Sequence, residues 1–206
     1  MQVALSDVTV RYGDRTVLDG VSAIFNPGEV TVVMGPSGSG KSTLFAAIAG
    51  AARITSGTIA PPLDEASVEW IVQTTPLLQR RRVIDNVELS MRLRGVPGEI
   101  ALLRAARALK NVGILHHARE FTHRLSGGEK QRVAVARAMG VDSSVLLADE
   151  PTASLDATAR DAVCDALRAA ARTGAVVVVA THDIAVARQA HRVLELTAGN
   201  LRERLL

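Results

Sequence analysis

One stretch of sequence decides the fold class: Gly35-Pro36-Ser37-Gly38-Ser39-Gly40-Lys41-Ser42. It lies between the apolar run Val30–Met34 and an Ala- and Leu-rich segment at 41–49, which predict a buried strand followed by a helix. Glycines in such a turn let the backbone wrap closely around phosphates, because no Cβ blocks the approach. Successive amide groups and the helix N-terminus then supply hydrogen-bond donors and partial positive charge. The strand–turn–helix context therefore predicts a nucleotide phosphate site rather than a simple Gly- and Ser-rich turn.

The same alternation of apolar runs and helices continues along the chain. Residues 145–148 and Val176–Ala180 predict buried strands, and Ala157–Arg172 predicts a helix with Asp156 as its N-cap. Residues 86–94 alternate apolar and polar side chains, so the pattern alone predicts a strand there. Together these segments predict an α/β fold whose parallel strands are covered on both faces.

The composition is that of an ordinary globular domain, with 206 residues, 48% hydrophobic and 22% charged. Aromatic residues make up only 2%, so the core must consist mainly of Ala, Val, Leu and Ile. The single cysteine, Cys164, cannot form an internal disulfide, which fits a reducing compartment. No apolar run approaches the ~18 residues that a membrane span needs, and the N-terminus lacks a signal-peptide pattern. We therefore expect a soluble, cytoplasmic protein.

The positive charge is concentrated in one part of the chain. Residues 74–124 carry ten Lys or Arg against four Asp or Glu, whereas the remainder is net negative. A solvated helical surface explains such a run, and so does a lobe that faces an anionic partner such as a membrane or a nucleic acid. Charge alone leaves both explanations open.

Two acidic residues, Asp149 and Glu150, follow the predicted strand at 145–148. Ligands bind at the carboxyl ends of parallel strands, so this pair is expected beside the phosphate loop. Lys41 would reach the β- and γ-phosphates, while Ser42 and Asp149 would bind Mg²⁺. Glu150 would polarise an attacking water or take its proton. An exposed acidic pair that only caps a turn is the alternative explanation.

The stretch Leu125-Ser126-Gly127-Gly128-Glu129 predicts the start of another helix. Ser126 and Glu129 have the spacing of a capping box. A capping box does not explain two glycines in the first turn, each of which costs about 1 kcal/mol relative to alanine. Close approach of a ligand would explain them, and the helix N-terminus would then bind an anion such as a γ-phosphate.

With these motifs, the sequence resembles the ATP-binding subunits of ABC transporters. The resemblance covers nearly the whole chain, and its motifs occur in the family's order. They are the phosphate loop, LSGGE at 125–129, VLLADEPT at 145–152, Ser154-Leu155-Asp156 and Thr181-His182-Asp183, with Tyr12 and Gln73 in the places of the adenine-stacking aromatic and the Q-loop glutamine. The short length and the stretch Asn86-Val87-Glu88-Leu89 are most like the lipoprotein-release, macrolide-efflux and haem-export group.

The resemblance implies a P-loop NTPase fold. It consists of a RecA-like parallel-sheet core, a small antiparallel β subdomain and a helical subdomain that carries the signature motif LSGGE. Residues 1–206 would form a single ABC ATPase domain, with 1–73 and 140–206 in the catalytic core and 74–139 in the helical subdomain. This implication replaces the strand expected at 86–94 with a helix.

The resemblance also implies that two copies of the chain sandwich two ATP molecules, with Mg²⁺, head to tail. Glu150 would be the catalytic base, His182 would contact the γ-phosphate, and Asp156 would couple the two sites. The implied catalytic residues are Glu150, His182 and Gln73; the nucleotide-binding residues are Tyr12, Gly35, Pro36, Ser37, Gly38, Ser39, Gly40, Lys41, Ser42, Thr43, Ser126, Gly127, Gly128 and Asp156; the magnesium ligands are Ser42, Gln73 and Asp149.

The implied function is ATP hydrolysis that powers export through a separate transmembrane permease, at the cytoplasmic face of the membrane and without a nucleic acid. An importer subunit is the near alternative. A soluble ABC ATPase acting on DNA or ribosomes would need a coiled coil or a second cassette, and a P-loop kinase or GTPase would leave LSGGE unexplained. Arg80-Arg81-Arg82 departs from the family's pattern after the Q-loop, and we expect this basic lobe to face the membrane or the permease.

Overall fold

The computed structural model describes residues 1–63, 67–73 and 76–205 of the chain. The described residues form two compact units. The first comprises residues 1–70, 143–150 and 170–206, and the second comprises 71–142 and 151–169. The division into a core at 1–73 and 140–206 and a helical part at 74–139 stays a prediction.

The first unit contains an antiparallel sheet. Strand β1 (Val3–Tyr12) lies between β2 (Arg15–Phe25) and β4 (Ser56–Ala60) and pairs antiparallel with both. A two-residue turn joins β1 to β2, and its Gly13 has a positive φ of 58°, which suits a tight hairpin. Tyr12 therefore lies at the tip of this hairpin, paired with Arg15.

The second sheet of this unit has the strand order β5-β6-β7-β3-β8-β9. Its members are β3 (Val30–Met34), β5 (Val68–Ile71), β6 (Val145–Asp149), β7 (Val176–Ala180), β8 (Arg192–Thr197) and β9 (Asn200–Glu203). The pairs β6–β7, β7–β3 and β3–β8 are parallel, whereas β8–β9 is antiparallel. Every residue of β3, β6 and β7 is buried, because both faces of these valine-rich strands are covered. The predicted α/β class with a parallel sheet is confirmed.

The core of this unit lies around helix α1 (Lys41–Ile48). Its buried side chains Leu44, Phe45 and Ile48 belong to one apolar cluster with Phe25 and with inward-facing residues of both sheets. Burial of side chains of this size stabilises a fold by about 1.5–3 kcal/mol each. The cluster therefore fixes α1, and with it the turn that precedes α1, against the sheets.

The second unit is largely helical. It contains α2 (Val83–Leu93), α3 (Gly98–Asn111), α4 (Gly127–Met139), the 3-10 turns Leu115–His117 and Thr122–Arg124, and residues 157–169 of α5 (Ala157–Arg172). Helix α2 packs against α3 and α4. The remaining helix, α6 (Ile184–Ala187), belongs to the first unit.

The prediction of a strand at 86–94 is wrong, because α2 occupies this segment. Val83, Val87 and Met91 are fully buried at the four-residue spacing of a helix, while Leu89 and Leu93 are exposed. The Asp85 carboxylate also accepts a hydrogen bond of 3.2 Å from the Arg82 amide, which caps the start of the helix. The helix implied by the family resemblance is confirmed here.

No helix within the described ranges is both long and apolar enough to cross a membrane.

Candidate functional site

The phosphate loop joins β3 to α1 and needs its glycines. Gly35 has φ of 152°, and a Cβ at this position would collide with the Leu196 carbonyl of β8. Gly40 is the N-cap of α1 with φ of 107°, a left-handed conformation that side chains disfavour, and no side chain caps this helix. The first-turn amides of α1 are therefore left without a side-chain partner, which is what an anion site at a helix start requires.

Two further groups in the loop match a phosphate ligand. The Lys41 ammonium donates to the carbonyls of Gly35 at 2.8 Å and Pro36 at 3.0 Å, so its charge lies directly over the loop. The Ser39 hydroxyl is buried and has no hydrogen-bond partner among the described residues. A buried hydroxyl without a partner costs free energy that a ligand oxygen would recover. Pro36, Ser37 and Gly38 are exposed, and Thr43 is half-buried in the first turn of α1.

Ser42 and Asp149 meet at the carboxyl end of β6. The Ser42 hydroxyl donates to Asp149 Oδ2 over 2.6 Å, and Asp149 itself is buried. Hydroxyl and carboxylate oxygens are the donors that Mg²⁺ prefers, and Mg²⁺ takes its other ligands from phosphates and water. No group of three or more His, Cys, Asp or Glu within the described ranges could hold a metal by itself. A two-residue magnesium site completed by a nucleotide fits these residues.

Glu150 is the most constrained carboxylate of this edge. Its backbone adopts a positive φ of 49°, and its amide donates to the Ala180 carbonyl at the end of β7. The Thr181 hydroxyl donates to Glu150 Oε2 at 3.0 Å, and His182 Nδ1 lies 2.7 Å from Oε1. The Glu150 side chain is 11% exposed, whereas that of His182 is 79% exposed. The structure thus holds a nearly buried carboxylate in a fixed orientation, with the histidine open to a ligand.

Thr181 is a functional candidate that the sequence reasoning did not include among the site residues. It is fully buried, and its hydroxyl also accepts a hydrogen bond from the Asp183 amide at 3.1 Å. Its signal in the sequence is a hydroxyl residue directly after a buried strand, β7, which is the neighbour of the strand that ends in Asp149. That signal can be recognised only once it is known that β6 and β7 are adjacent strands of the sheet.

The signature motif forms the start of α4 in the second unit, and its predicted capping box is confirmed. The Ser126 hydroxyl accepts from the Glu129 amide at 3.3 Å, and Glu129 Oε2 accepts from the Ser126 amide at 2.7 Å and from its hydroxyl at 2.8 Å. These hydrogen bonds from the Ser126 amide and then its hydroxyl hold the pKa of Glu129 below its ordinary value, and the nearby charges of His117 and Arg132 act in the same direction.

The two glycines of this motif differ in their surroundings. A Cβ on Gly128 would lie 3.1 Å from the Leu155 side chain and 3.2 Å from the Ser154 carbonyl, so packing within the unit is tight there and favours a glycine. A Cβ on Gly127 would meet nothing within 4 Å. The backbone at Gly127 is therefore open to solvent. Only the close approach of another molecule would require this position to lack a side chain.

The remaining predicted site residues belong to other elements of the chain. Tyr12 is 57% exposed at the hairpin tip of the first unit. Gln73 is exposed in the turn after β5, and Asp156 Oδ1 accepts from the Ala159 amide at 2.8 Å as the N-cap of α5. Gln73, Asp156 and the signature motif belong to the second unit, whereas the phosphate loop, Asp149, Glu150 and His182 belong to the first.

A sequence model that describes the ABC transporter family matches residues 18–153. The chain belongs to the ABC transporter family. It is an ATP-binding cassette that hydrolyses ATP, and it has a P-loop fold. The family resemblance seen in the sequence is confirmed.

Known relatives cover nearly all of this cassette. The cell division ATP-binding protein FtsE of Escherichia coli is 37% identical over an alignment of 203 positions that covers 92% of this chain and 91% of FtsE. HrtA of Staphylococcus aureus, named as a hemin import ATP-binding protein, is 33% identical over an alignment of 219 positions that covers 98% of this chain and 99% of HrtA.

Solved structures agree with the fold. The dimeric ABC transporter cassette MJ0796 superposes with a TM-score of 0.85 at 30% identity, covering 99% of this chain and 100% of that one. A second dimeric structure of MJ0796, in a post-hydrolysis state bound to ADP and phosphate, gives a TM-score of 0.84 with the same coverage. This cassette is therefore similar to a protein that has been seen as a dimer in two structures.

Proposed function

We propose that this cassette hydrolyses Mg²⁺-ATP as a dimer and powers export through a separate membrane permease. The observation that carries the proposal is the arrangement at the ends of β6 and β7. There, Asp149 contacts the first turn of α1, and the next residue, Glu150, is held by Thr181 and His182. One edge of the sheet thus supports both a magnesium site and a base for water.

The nucleotide would bind along the phosphate loop. The loop amides and Lys41 would hold the β- and γ-phosphates, and exposed Tyr12 would stack on the adenine. Ser42 and Asp149 would hold Mg²⁺, with Gln73 as a further oxygen ligand. Bound Mg²⁺ would neutralise charge on the transferred phosphoryl group. Lys41 would exchange the carbonyls of Gly35 and Pro36 for phosphate oxygens, which are stronger acceptors for an ammonium.

Glu150 would take the proton of the water that attacks the γ-phosphate. As the oxygen of water bonds to phosphorus, the bond to the ADP oxygen breaks, and Glu150 receives the proton that the water loses. The Thr181 hydroxyl and His182 keep the carboxylate oriented for this transfer. General base catalysis of this kind contributes about 10²–10⁴-fold to a rate.

A second copy of the chain would complete each nucleotide site. Its Ser126, Gly127 and Gly128 would face the γ-phosphate, and its Asp156 would couple the two sites. The open backbone at Gly127 supports this role, because no neighbour within one chain requires this position to lack a side chain. The dimeric MJ0796 structures support it as well.

The permease would dock on the helical unit. A groove of about 270 Å³ there is lined by leucines and by charges of both signs: Leu78, Arg81, Asp85, Glu88, Leu89 and Arg92. Arg80, Arg81 and Arg82 are all exposed. A short helix of the permease with apolar and charged side chains would match such a groove, and the anionic leaflet would attract the basic residues. The protein would then act at the cytoplasmic face of the membrane.

Import is the second candidate, and the name of HrtA as a hemin import protein favours it. Two observations would distinguish import from export. A neighbouring reading frame that encodes a four-span protein with a large extracytoplasmic domain would support export, whereas a many-span permease beside a gene for an external binding protein would support import. The permease so identified also provides the partner for the docking test.

The docking test is photocrosslinking from residue 81 in the complex with that permease. We expect crosslinks to the permease or to lipid from position 81, and none from position 14, which lies in the β1–β2 turn of the first unit. Equal crosslinking from both positions, or capture of bulk solvent alone at position 81, would contradict docking on this lobe.

A further inference from the structure

Helix α3 has two sides of different character. Its buried side consists of Ala101, Ala105 and Leu109, which pack within the helical unit. Ile100 and Leu103 lie on the outer side and are 45% and 73% exposed to solvent. The helix therefore keeps apolar side chains in water, although its inward side already supplies the packing that a stable helix needs.

A third apolar side chain extends this outer surface. Leu93 is the last residue of α2, it is 79% exposed, and the turn at 94–97 joins it to α3. Because α2 packs against α3, Leu93 lies at the same end of the helical pair as Ile100 and Leu103. Single exposed leucines are ordinary on a protein surface, whereas a group of apolar side chains points to an interaction site. We refer to Leu93, Ile100 and Leu103 as the apolar tip.

Basic side chains continue the surface along α3. Arg107 and Lys110 are exposed, and they follow Leu103 at intervals of four and seven residues, which keeps them on the same side of the helix. Residues 92–110 contain five Arg or Lys and one acidic residue, Glu99. Exposed apolar side chains next to cations are the composition of a helix that lies at a membrane surface.

An anionic bilayer fits this surface better than a second copy of the chain does. A two-fold contact would bring the same patch of both chains together, so their positive charges would repel each other. Side chains that stand out as far as Leu93 and Leu103 enter a fluid bilayer without a matching pocket, while anionic headgroups attract Arg107 and Lys110. The charge and the exposure therefore favour lipid as the partner of this surface.

We propose that the apolar tip, together with Arg107 and Lys110, binds the anionic leaflet of a membrane directly. The apolar side chains lie among the lipid headgroups, and the two cations lie against lipid phosphates. This inference rests on the proposed position of the cassette at the membrane, but the contact needs neither ATP nor the permease. The groove assigned to the permease is lined by other residues, including Leu78, Asp85 and Leu89, so the two contacts do not compete for side chains.

Sedimentation of the full chain with sucrose-filled vesicles measures the contact. We expect partitioning into vesicles of equal parts phosphatidylglycerol and phosphatidylcholine to exceed that into pure phosphatidylcholine by roughly 20-fold or more, because each basic residue contributes about fivefold. Rising salt should remove this preference. A parent chain that does not bind the anionic vesicles at millimolar lipid would overturn the inference.

The double variant Leu93→Gln with Leu103→Gln tests the apolar tip, because glutamine keeps the helix propensity of leucine and removes its apolar surface. Its partitioning into the anionic vesicles should fall roughly tenfold for each leucine. Leu205→Gln is the matched control, because Leu205 is 95% exposed in the first unit, and it should bind like the parent. Equal binding by all three proteins would mean adsorption by charge alone and would overturn the inference.

Arg107→Gln and Lys110→Gln test the basic side chains, and each should lower partitioning into the anionic vesicles roughly fivefold. Arg15→Gln, in the exposed hairpin of the first unit, is the matched control and should leave binding unchanged. If Arg15→Gln lowers binding as much as the other two substitutions do, net charge rather than this surface attracts the protein, and the inference is wrong.

A tryptophan at position 103 reports insertion without any loss of binding. The fluorescence of Leu103→Trp should shift to the blue on the anionic vesicles, whereas Leu205→Trp should show no shift, and Trp70 contributes equally to both proteins. A bound chain whose tryptophan at position 103 shows no shift would overturn the inference. A rise in molecular mass without lipid that Leu103→Gln abolishes would assign the surface to a second copy of the chain and overturn it as well.

The lipid contact and the docking of the permease fail separately. If vesicle binding is absent but position 81 crosslinks to the permease, the inference is wrong and the proposed docking stands. If the chain binds vesicles as expected but position 81 crosslinks to neither permease nor lipid, the proposed docking fails and the lipid contact is supported. In the same complex, a photocrosslinker at position 103 should capture lipid, and capture of the permease alone would overturn the inference.

Discussion

Two helices of this cassette begin at candidate phosphate sites, and they are held by different means. Helix α1 starts from Gly40 in a left-handed conformation without a side-chain cap, and the loop before it is fixed by buried strands. Helix α4 starts from Ser126 in an extended conformation, with a capping box to Glu129 and a further contact to His117. The first is fixed by backbone packing and keeps its donors free. The start of α4 depends on polar side-chain contacts, so substitutions of those side chains can change how firmly it is held.

The comparison predicts the largest loss at α1. Lys41→Ala removes the loop's ammonium, which lies over the carbonyls of Gly35 and Pro36. Truncating one partner of a hydrogen-bonded charge pair costs about 2–5 kcal/mol, so ATP affinity should fall by roughly 30-fold or more. Equilibrium nucleotide binding and phosphate release measure this. Lys110→Ala, on the surface of α3, is the control, and near-native binding by Lys41→Ala would refute the role.

The next effect concerns the polar anchoring of the helical unit. Asn86 is buried, and its amide accepts from the Leu78 amide at 2.7 Å and donates to the Leu78 and Arg82 carbonyls and to the Thr122 hydroxyl. Asn86→Ala removes the recorded partner of the Leu78 amide, at a cost of ~1–3 kcal/mol, whereas the Leu78 and Arg82 carbonyls and the Thr122 hydroxyl keep other partners. The free energy that protects the Leu78 amide from hydrogen exchange should fall by this amount, and ADP binding should stay unchanged.

The control for Asn86 is Ser90→Ala on the same helix. The Ser90 hydroxyl only adds a donor to the Val87 and Arg137 carbonyls, so its loss should cost about 0.5 kcal/mol or less. If Asn86→Ala and Ser90→Ala have the same effect on the Leu78 amide, the network does not hold the segment at 78–82.

A smaller effect is expected at the exposed hairpin of the first unit. Tyr12→Ala should weaken ATP binding by about 1 kcal/mol, and Tyr12→Phe should change it little, because stacking needs the ring and not the hydroxyl. Isothermal titration of all three proteins measures the difference. An alanine variant that binds ATP like the parent would place the adenine elsewhere.

The smallest expected effect concerns the exposed N-terminal cap of α4, and a change of pH tests it. The pKa of Glu129 is lowered from about 4.5 by its hydrogen bonds with Ser126. A lowered pKa in the folded state means that the cap stabilises the protein above pH ~4.5 and loses this effect as the pH falls through the folded-state value. The difference in unfolding free energy between parent and Glu129→Gln should therefore shrink from pH 7 to pH 3. A difference that stays constant would show that the carboxylate charge is not what caps the helix.

The sequence predicted the parts of the molecule that local patterns determine. Strands β3, β6 and β7 are continuous apolar runs, and the phosphate loop carries its glycines where the backbone needs them. The capping box at Ser126 was predicted for the same reason, since four consecutive residues suffice to form it.

The failures arose where distant contacts decide. In α2 the apolar residues 87, 89, 91 and 93 fit a strand, and only packing against α3 and α4 selects Val83, Val87 and Met91 as the buried stripe. The contact of Thr181 with Glu150 and the bridge of His117 to Glu129 join residues that are far apart in sequence. Neither was included among the predicted site residues, because no local pattern marks them.

The most direct test of the central claim is phosphate release by Glu150→Gln at saturating Mg²⁺-ATP. The substitution keeps the shape of the side chain, and its amide can still accept from Thr181, but it cannot take a proton from water. We expect turnover to fall by ~10²–10⁴-fold while ATP binding is retained, with Glu99→Gln in the first turn of α3 unchanged as the control. Turnover at the parent rate would contradict the account and remove Glu150 from the chemistry.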